Sequence, residues 1–175
     1  MKKGFTMIEL IFVIVILGIL ASVAIPRLAS TRTDAEISAL AGNIRTLISD
    51  LSSYYVVKGE FGNATWGDVT NVPVRKGDKN LARQEKITQG LYDGAYYLLA
   101  GGINCLVIRV KDRDGARPAY IEIAKTGSEQ TKGICPDIIN AEPIKAFLDL
   151  RVPNVTPIET GGAGVIVFES STSIY

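Results

Sequence analysis

The 175-residue chain contains no histidine. That removes the commonest general base and the commonest transition-metal ligand at once. It holds only two cysteines, Cys105 and Cys135, too few to build a thiolate zinc site without other ligands. Charge of one sign is also missing: the formal net charge is +1, so no global field draws in nucleic acid or acidic lipid. No Gly-rich phosphate loop, no metal-ligand cluster and no nucleophile–base pair can be read, which argues against an enzyme and for no cofactor. Apolar residues make up 47% and charged residues 21%, as in an ordinary folded protein with a real core.

The excess of apolar residues sits at the N-terminus. Met1-Lys2-Lys3-Gly4 is short and basic, and Phe5 to Ile25 is then almost wholly apolar for 21 residues. A helix of about 20 apolar residues crosses a bilayer core. A cleavable secretory signal is the rival reading, and Ala21-Ser22-Val23-Ala24 offers small residues for it. Bases stand on both sides, Lys2 and Lys3 before the run and Arg27 and Arg32 after it, but the short N-terminal tail favours a cytoplasmic N-terminus. The rest of the chain then lies outside the cytoplasm, where a Cys105–Cys135 disulfide can persist; two buried free thiols are the alternative. Such a bond, spanning 31 residues, adds roughly 3–4 kcal/mol on the chain-entropy estimate. One carboxylate, Glu9, breaks the apolar run. A charge in the bilayer costs several kcal/mol and marks function by default, unless it snorkels to the headgroups.

KGFTMIEL followed by a long apolar run resembles the class III signal of type IV pilins and type II secretion pseudopilins. The resemblance covers about the first 30 residues. It implies a leader, residues 1–4, removed by a prepilin peptidase that cuts after Gly4, and methylation of the new N-terminal amine on Phe5. Residues 5–26 then form a membrane and filament-core helix, and residues 27–175 a periplasmic or extracellular globular domain. Loss of the leader leaves 17 bases against 18 acids. The resemblance also gives Glu9 a use: its carboxylate pairs with the N-terminal amine of a neighbouring subunit and so acts as a register device. Gly18, Ser22 and Pro26 interrupt the same helix, and in the family the helix often melts locally between such a glycine and proline. The implied partners are identical or related pilin subunits, the peptidase, an assembly ATPase and its inner-membrane platform.

Past Pro26 the pattern changes. Ile37, Leu40, Ala41, Ile44, Leu47, Ile48, Leu51, Tyr54 and Tyr55 recur at three- and four-residue spacing, the stripe of an amphipathic helix that packs a domain. Lys58-Gly59 is a fitting C-terminus. One helix from Phe5 to about Val57 would be ~80 Å long. Residues 59–94 read as a long surface connection with a short helix near Leu81–Ile87. Arg75, Lys76, Lys79 and Arg83 lie there among Asp78 and Glu85, a solvated loop before it is a DNA contact. AYYLLA at 95–100, the alternation of Leu106, Ile108 and Val110, and that of Ile121 and Ile123 read as strands. DRDGARP between the last two makes an antiparallel hairpin, and Val165–Phe168 is a further strand. Asp112-x-Asp114-Gly115 faintly resembles a calcium loop but lacks downstream ligands, so turn chemistry explains it and no metal is expected. Asn63-Ala64-Thr65 and Asn154-Val155-Thr156 fit a glycosylation sequon and receive no role. In the family a disulfide commonly pins a variable C-terminal loop, here about Thr126–Gly164, with Cys135 in it.

The expected fold is α+β: a long N-terminal helix packed on a small antiparallel sheet. The expected function is a structural subunit of a type IV filament, stored in the inner membrane. A type II secretion pseudopilin, or a minor subunit serving DNA uptake or adhesion, is the alternative. A membrane-anchored domain of another class has no need of Gly4-Phe5 or Glu9. Two cysteines without a calcium signature lean toward the pilus.

Overall fold

The computed structural model describes residues 4–77, 80–87, 96–113, 115, 118–127, 131–150 and 163–167. The first element, α1, runs Met7–Lys58, 52 residues, and begins two residues later than the apolar run. Two compact units share it, Met1–Ala35 and Glu36–Tyr175.

In the first unit every large apolar side chain from Phe5 to Leu28 is exposed, and the helix is apolar and long enough to cross a membrane. It stays helical through Gly18 and Pro26. Pro26 has no N–H to give the carbonyl four residues back. Nearby hydroxyls bond along the same helix: Ser22 Oγ donates to the Ile19 carbonyl at 2.7 Å and Thr31 Oγ1 to the Arg27 carbonyl at 2.9 Å.

In the second unit the predicted stripe is the core. Leu40, Ala41, Ile44, Leu47, Leu51 and Tyr55 are buried, and Ile37, Ile48 and Tyr54 pack beside them. The helix stops where the sequence places its end. Gly59 takes a positive φ of 77° and its N–H donates to the Tyr55 carbonyl at 2.7 Å, a conformation glycine adopts without steric cost.

Next come α2 (Trp66–Val69), β1 (Arg75–Lys76), β2 (Asn80–Leu81), β3 (Tyr96–Ala100), β4 (Ile103–Lys111) and β5 (Tyr120–Lys125). They are followed by α3 (Cys135–Asn140), α4 (Glu142–Leu148) and β6 (Ala163–Val167). The sheet is antiparallel throughout, in the order β2-β1-β3-β4-β5-β6. Its body is the four strands β3–β6, extended at one edge by the two-residue strands β1 and β2. The α+β expectation and the β4–β5 hairpin therefore hold, with Ile108 opposite Ile123 and Val110 opposite Ile121. Ala95 and Phe168, the ends of two predicted strands, lie outside the described residues.

Three expectations need correction. First, residues 81–87 are not helical. The backbone of 64–67 spends its hydrogen bonds on them instead: Trp66 N–H donates to Glu85 O at 3.0 Å, Gly67 N–H to Arg83 O at 2.8 Å, and Ile87 N–H to Ala64 O at 2.9 Å. A Cβ on Gly67 would stand 2.8 Å from that Arg83 oxygen, so the approach needs glycine.

Second, the supposed surface connection is internal at most of its apolar points, with Leu81 left exposed. Phe61, Trp66, Val72, Val74, Ala82 and Ile87 are buried in the main core, and Trp66 meets the Tyr96 ring edge-on at 4.9 Å. Besides these corrections, the sheet does not alternate cleanly between core and water. Val107 and Ala124 form a second small buried cluster with Tyr97, and Glu122, opposite Arg109, is fully buried too.

Third, the predicted C-terminal loop holds two helices. Pro136 and Pro143 each sit in a first helical turn, where their fixed φ suits the helix and the lost N–H has no partner to miss. Cys135 is thus the first residue of α3. Helix α3 lies on β4, and α4 on β5 and β6.

Candidate processing and assembly segment

Gly4 and Phe5 precede the helix and are exposed, and a Cβ on Gly4 would meet nothing within 4 Å. The backbone turns helical after Thr6 for a chemical reason. The Thr6 N–H donates to Glu9 Oε2 at 2.8 Å and the Thr6 hydroxyl to the same oxygen at 2.7 Å. The Glu9 N–H points back at Thr6 Oγ1 at 3.4 Å. This is a capping box, in which residues three apart satisfy helix-end donors that have no intrahelical acceptor. Its T-x-x-E signature stands in the sequence as Thr6-Met7-Ile8-Glu9, and sequence reasoning missed it. Glu9 therefore has a local use in a single chain, and the misplaced acid is not idle before any partner arrives.

Gly18 and Pro26 lie nine and seventeen residues beyond Glu9 on the same helix, within the exposed apolar stretch. The two cysteines, far from this segment in sequence, are bonded to one another, with Cα atoms 5.2 Å apart. A register shift between Leu98 and Leu99 explains how Cys105 reaches its partner. Leu98 faces Leu106 and Leu99 faces Asn104, so Cys105 is the extra residue of a bulge and joins the core beside Leu106.

Asp112 does more than the local turn chemistry expected of it. Its carboxylate accepts the Phe61 N–H at 3.0 Å and the Gly62 N–H at 3.3 Å, tying the end of β4 to the chain just past α1. Asp114 lies outside the described residues. Among the described residues no group of three or more His, Cys, Asp or Glu side chains is placed to hold a metal ion. The basic residues of 75–86 are largely engaged with neighbours. Lys76 pairs with Glu85 at 3.0 Å, Arg83 Nη2 donates to Asn71 Oδ1 at 3.4 Å and Lys86 Nζ to Asn63 Oδ1 at 2.8 Å. Lys79 lies outside the described residues. These contacts favour the solvated-loop reading over a DNA patch.

Comparison with known proteins bears on the same N-terminal segment. Residues 1–25 match the family described as the prokaryotic N-terminal methylation motif. The chain is 38% identical over 53 residues to the type II secretion system core protein G of Pseudomonas aeruginosa, over 30% of this chain and 37% of that protein. It is 38% identical over 78 residues to a fimbrial protein of Neisseria meningitidis serogroup B, over 44% of this chain and 46% of that protein. The matches thus span less than half the length of either relative. No solved structure gives a significant match.

Proposed function

We propose that this chain is a structural, non-enzymatic subunit of a type IV filament, held in the inner membrane by its N-terminal helix until assembly. One observation carries the reading. A methylation motif over residues 1–25 coincides with a helix whose large apolar side chains from Phe5 to Leu28 are all exposed, and which keeps an acid, Glu9, at its start. Apolar surface on that scale needs lipid or other helices to cover it. A prepilin peptidase cuts between Gly4 and Phe5, and the freed Phe5 amine is methylated. Glu9 pairs with the amine of a neighbouring subunit. In the low dielectric of packed helices the pair neutralises two charges, and a subunit out of register leaves one unpaired. Gly18 and Pro26 supply compliance while the helix leaves the membrane. An assembly ATPase and its membrane platform drive that step. The N-terminus faces the cytoplasm before assembly, and residues 27–175 face the periplasm or the exterior.

A pseudopilin of type II secretion is the second reading, supported by the match to core protein G. The pilus reading is preferred because the fimbrial relative matches more of the chain and the Cys105–Cys135 bond ties α3 to the sheet. Mass spectrometry of material sheared from cells, set against the membrane fraction, tests both. A sheared fraction rich in chains that begin at methylated Phe5 is the expected result. Processed chains confined to membranes would favour the short pseudopilus, and unprocessed chains in membranes alone would end the filament reading.

A further inference from the structure

Cys105 and Cys135 are bonded, and both residues have 0% of their surface exposed. Cys105 lies at the bulge in β4, under α3, and Cys135 opens α3 itself. Ile138, Ile144 and Leu148 of α3 and α4 are buried in the same core as Leu40 and Ile44 of α1. Thiol–disulfide exchange requires a third sulfur to reach one of the two along the bond. Sulfurs without solvent contact in a close-packed core give it no path.

We infer that the Cys105–Cys135 bond is made before α3 and α4 dock on the sheet, by exchange with a disulfide-bearing oxidant, and that docking then shuts out oxidants and reductants alike. One cysteine thiolate attacks a sulfur of the oxidant, forms a mixed disulfide and expels the oxidant's other sulfur as a thiolate. The second cysteine thiolate attacks the first cysteine's sulfur, closes the intrachain bond and releases the remaining thiolate. The chain gives up two protons and two electrons, and the oxidant's disulfide ends as two thiols. The class of reaction that must precede maturation is therefore dithiol oxidation of an incompletely folded chain. This inference goes beyond the filament reading and stands without it.

The test uses the full chain in detergent micelles, with thiols counted by mass after alkylation. Dithiothreitol is added to the oxidised protein with and without urea. Reduction at least about a hundredfold slower without urea is expected, because opening must come first. Rates within a few-fold of each other would overturn the inference. In the reverse arm the reduced, denatured chain is refolded with oxidised glutathione present from the start or added afterwards. Bond formation at the start and little afterwards is expected. Rapid late oxidation of a refolded chain whose α3 is docked, read by hydrogen exchange at Ile138 and Ile139, would overturn the order of events, whereas slow oxidation of that docked chain supports it.

Discussion

Glu9 answers to two demands that a single substitution can separate. Its carboxylate caps its own helix through Thr6, and the filament reading also has it pair with a neighbour's amine. Glu9→Ala removes both, and should leave membrane insertion intact while sharply lowering the sheared, filamentous fraction. Glu9→Gln keeps a capping side chain but no charge. If the register role is real, Glu9→Gln should assemble as poorly as Glu9→Ala. Normal yield from Glu9→Gln would reduce Glu9 to a helix cap. A second capping pair permits a pH test in the other unit. The Thr65 hydroxyl and N–H both donate to Asp68 Oδ2, at 2.7 and 2.9 Å. The Thr65 hydroxyl foremost, and then its N–H, hold the Asp68 carboxyl below its ordinary range. A lowered folded value means the contribution is present above the ordinary carboxylate range and fades as pH falls through the lowered value. Between about pH 5 and pH 2 the melting temperature of the native chain should fall more steeply than that of Asp68→Asn. Parallel curves would mean the pair adds nothing. Both boxes were legible as T-x-x-[DE]. In the apolar run Glu9 stands out as a charge, and only its three-residue spacing from Thr6 marks it as a cap.

Among the elements, the second half of α1 is the most predictable, because a stripe at three- and four-residue spacing has one stable use. Ile44 is wholly buried, and Ile44→Ala should cost about 2–5 kcal/mol of unfolding free energy by urea denaturation. Thr46→Ala, on the exposed side of the same helix, should change it by under about 0.5 kcal/mol. The turn between β3 and β4 is less forgiving. Gly101 has φ 57°, and a Cβ there would stand 2.8 Å from Ile134 Cγ2 just ahead of α3. Gly101→Ala should therefore destabilise by about 1–3 kcal/mol, read in the same denaturation series. The α3 and α4 helices escaped sequence reading because each is under two turns long. Helices that short have no period to detect; only their proline starts were visible.

For the whole molecule, the disulfide joins β4 to α3 across 30 positions of chain. Replacing both cysteines by alanine should lower unfolding free energy by about 3–4 kcal/mol if restriction of the unfolded chain is the main effect. A loss under about 1 kcal/mol would show that the α3–α4 packing against β4, β5 and β6 suffices without it.

The sequence alone determined the parts that depend on local periodicity and chemistry. These are the apolar N-terminal run, the amphipathic stripe and its stop at Lys58-Gly59, the β4–β5 hairpin, and the motif at Gly4-Phe5 with its acid. Each is written within a few residues of itself, so spacing is enough. Tertiary structure decided what depends on residues far apart in the chain. It buried isolated apolar residues of the 59–87 stretch and placed Asp112 on the Phe61 and Gly62 amides. It covered Val107, Glu122 and Ala124 on the second face of the sheet, and turned Cys105 inward at a bulge to meet Cys135. Burial is a property of what lies opposite a residue in space, and no local window of sequence contains it.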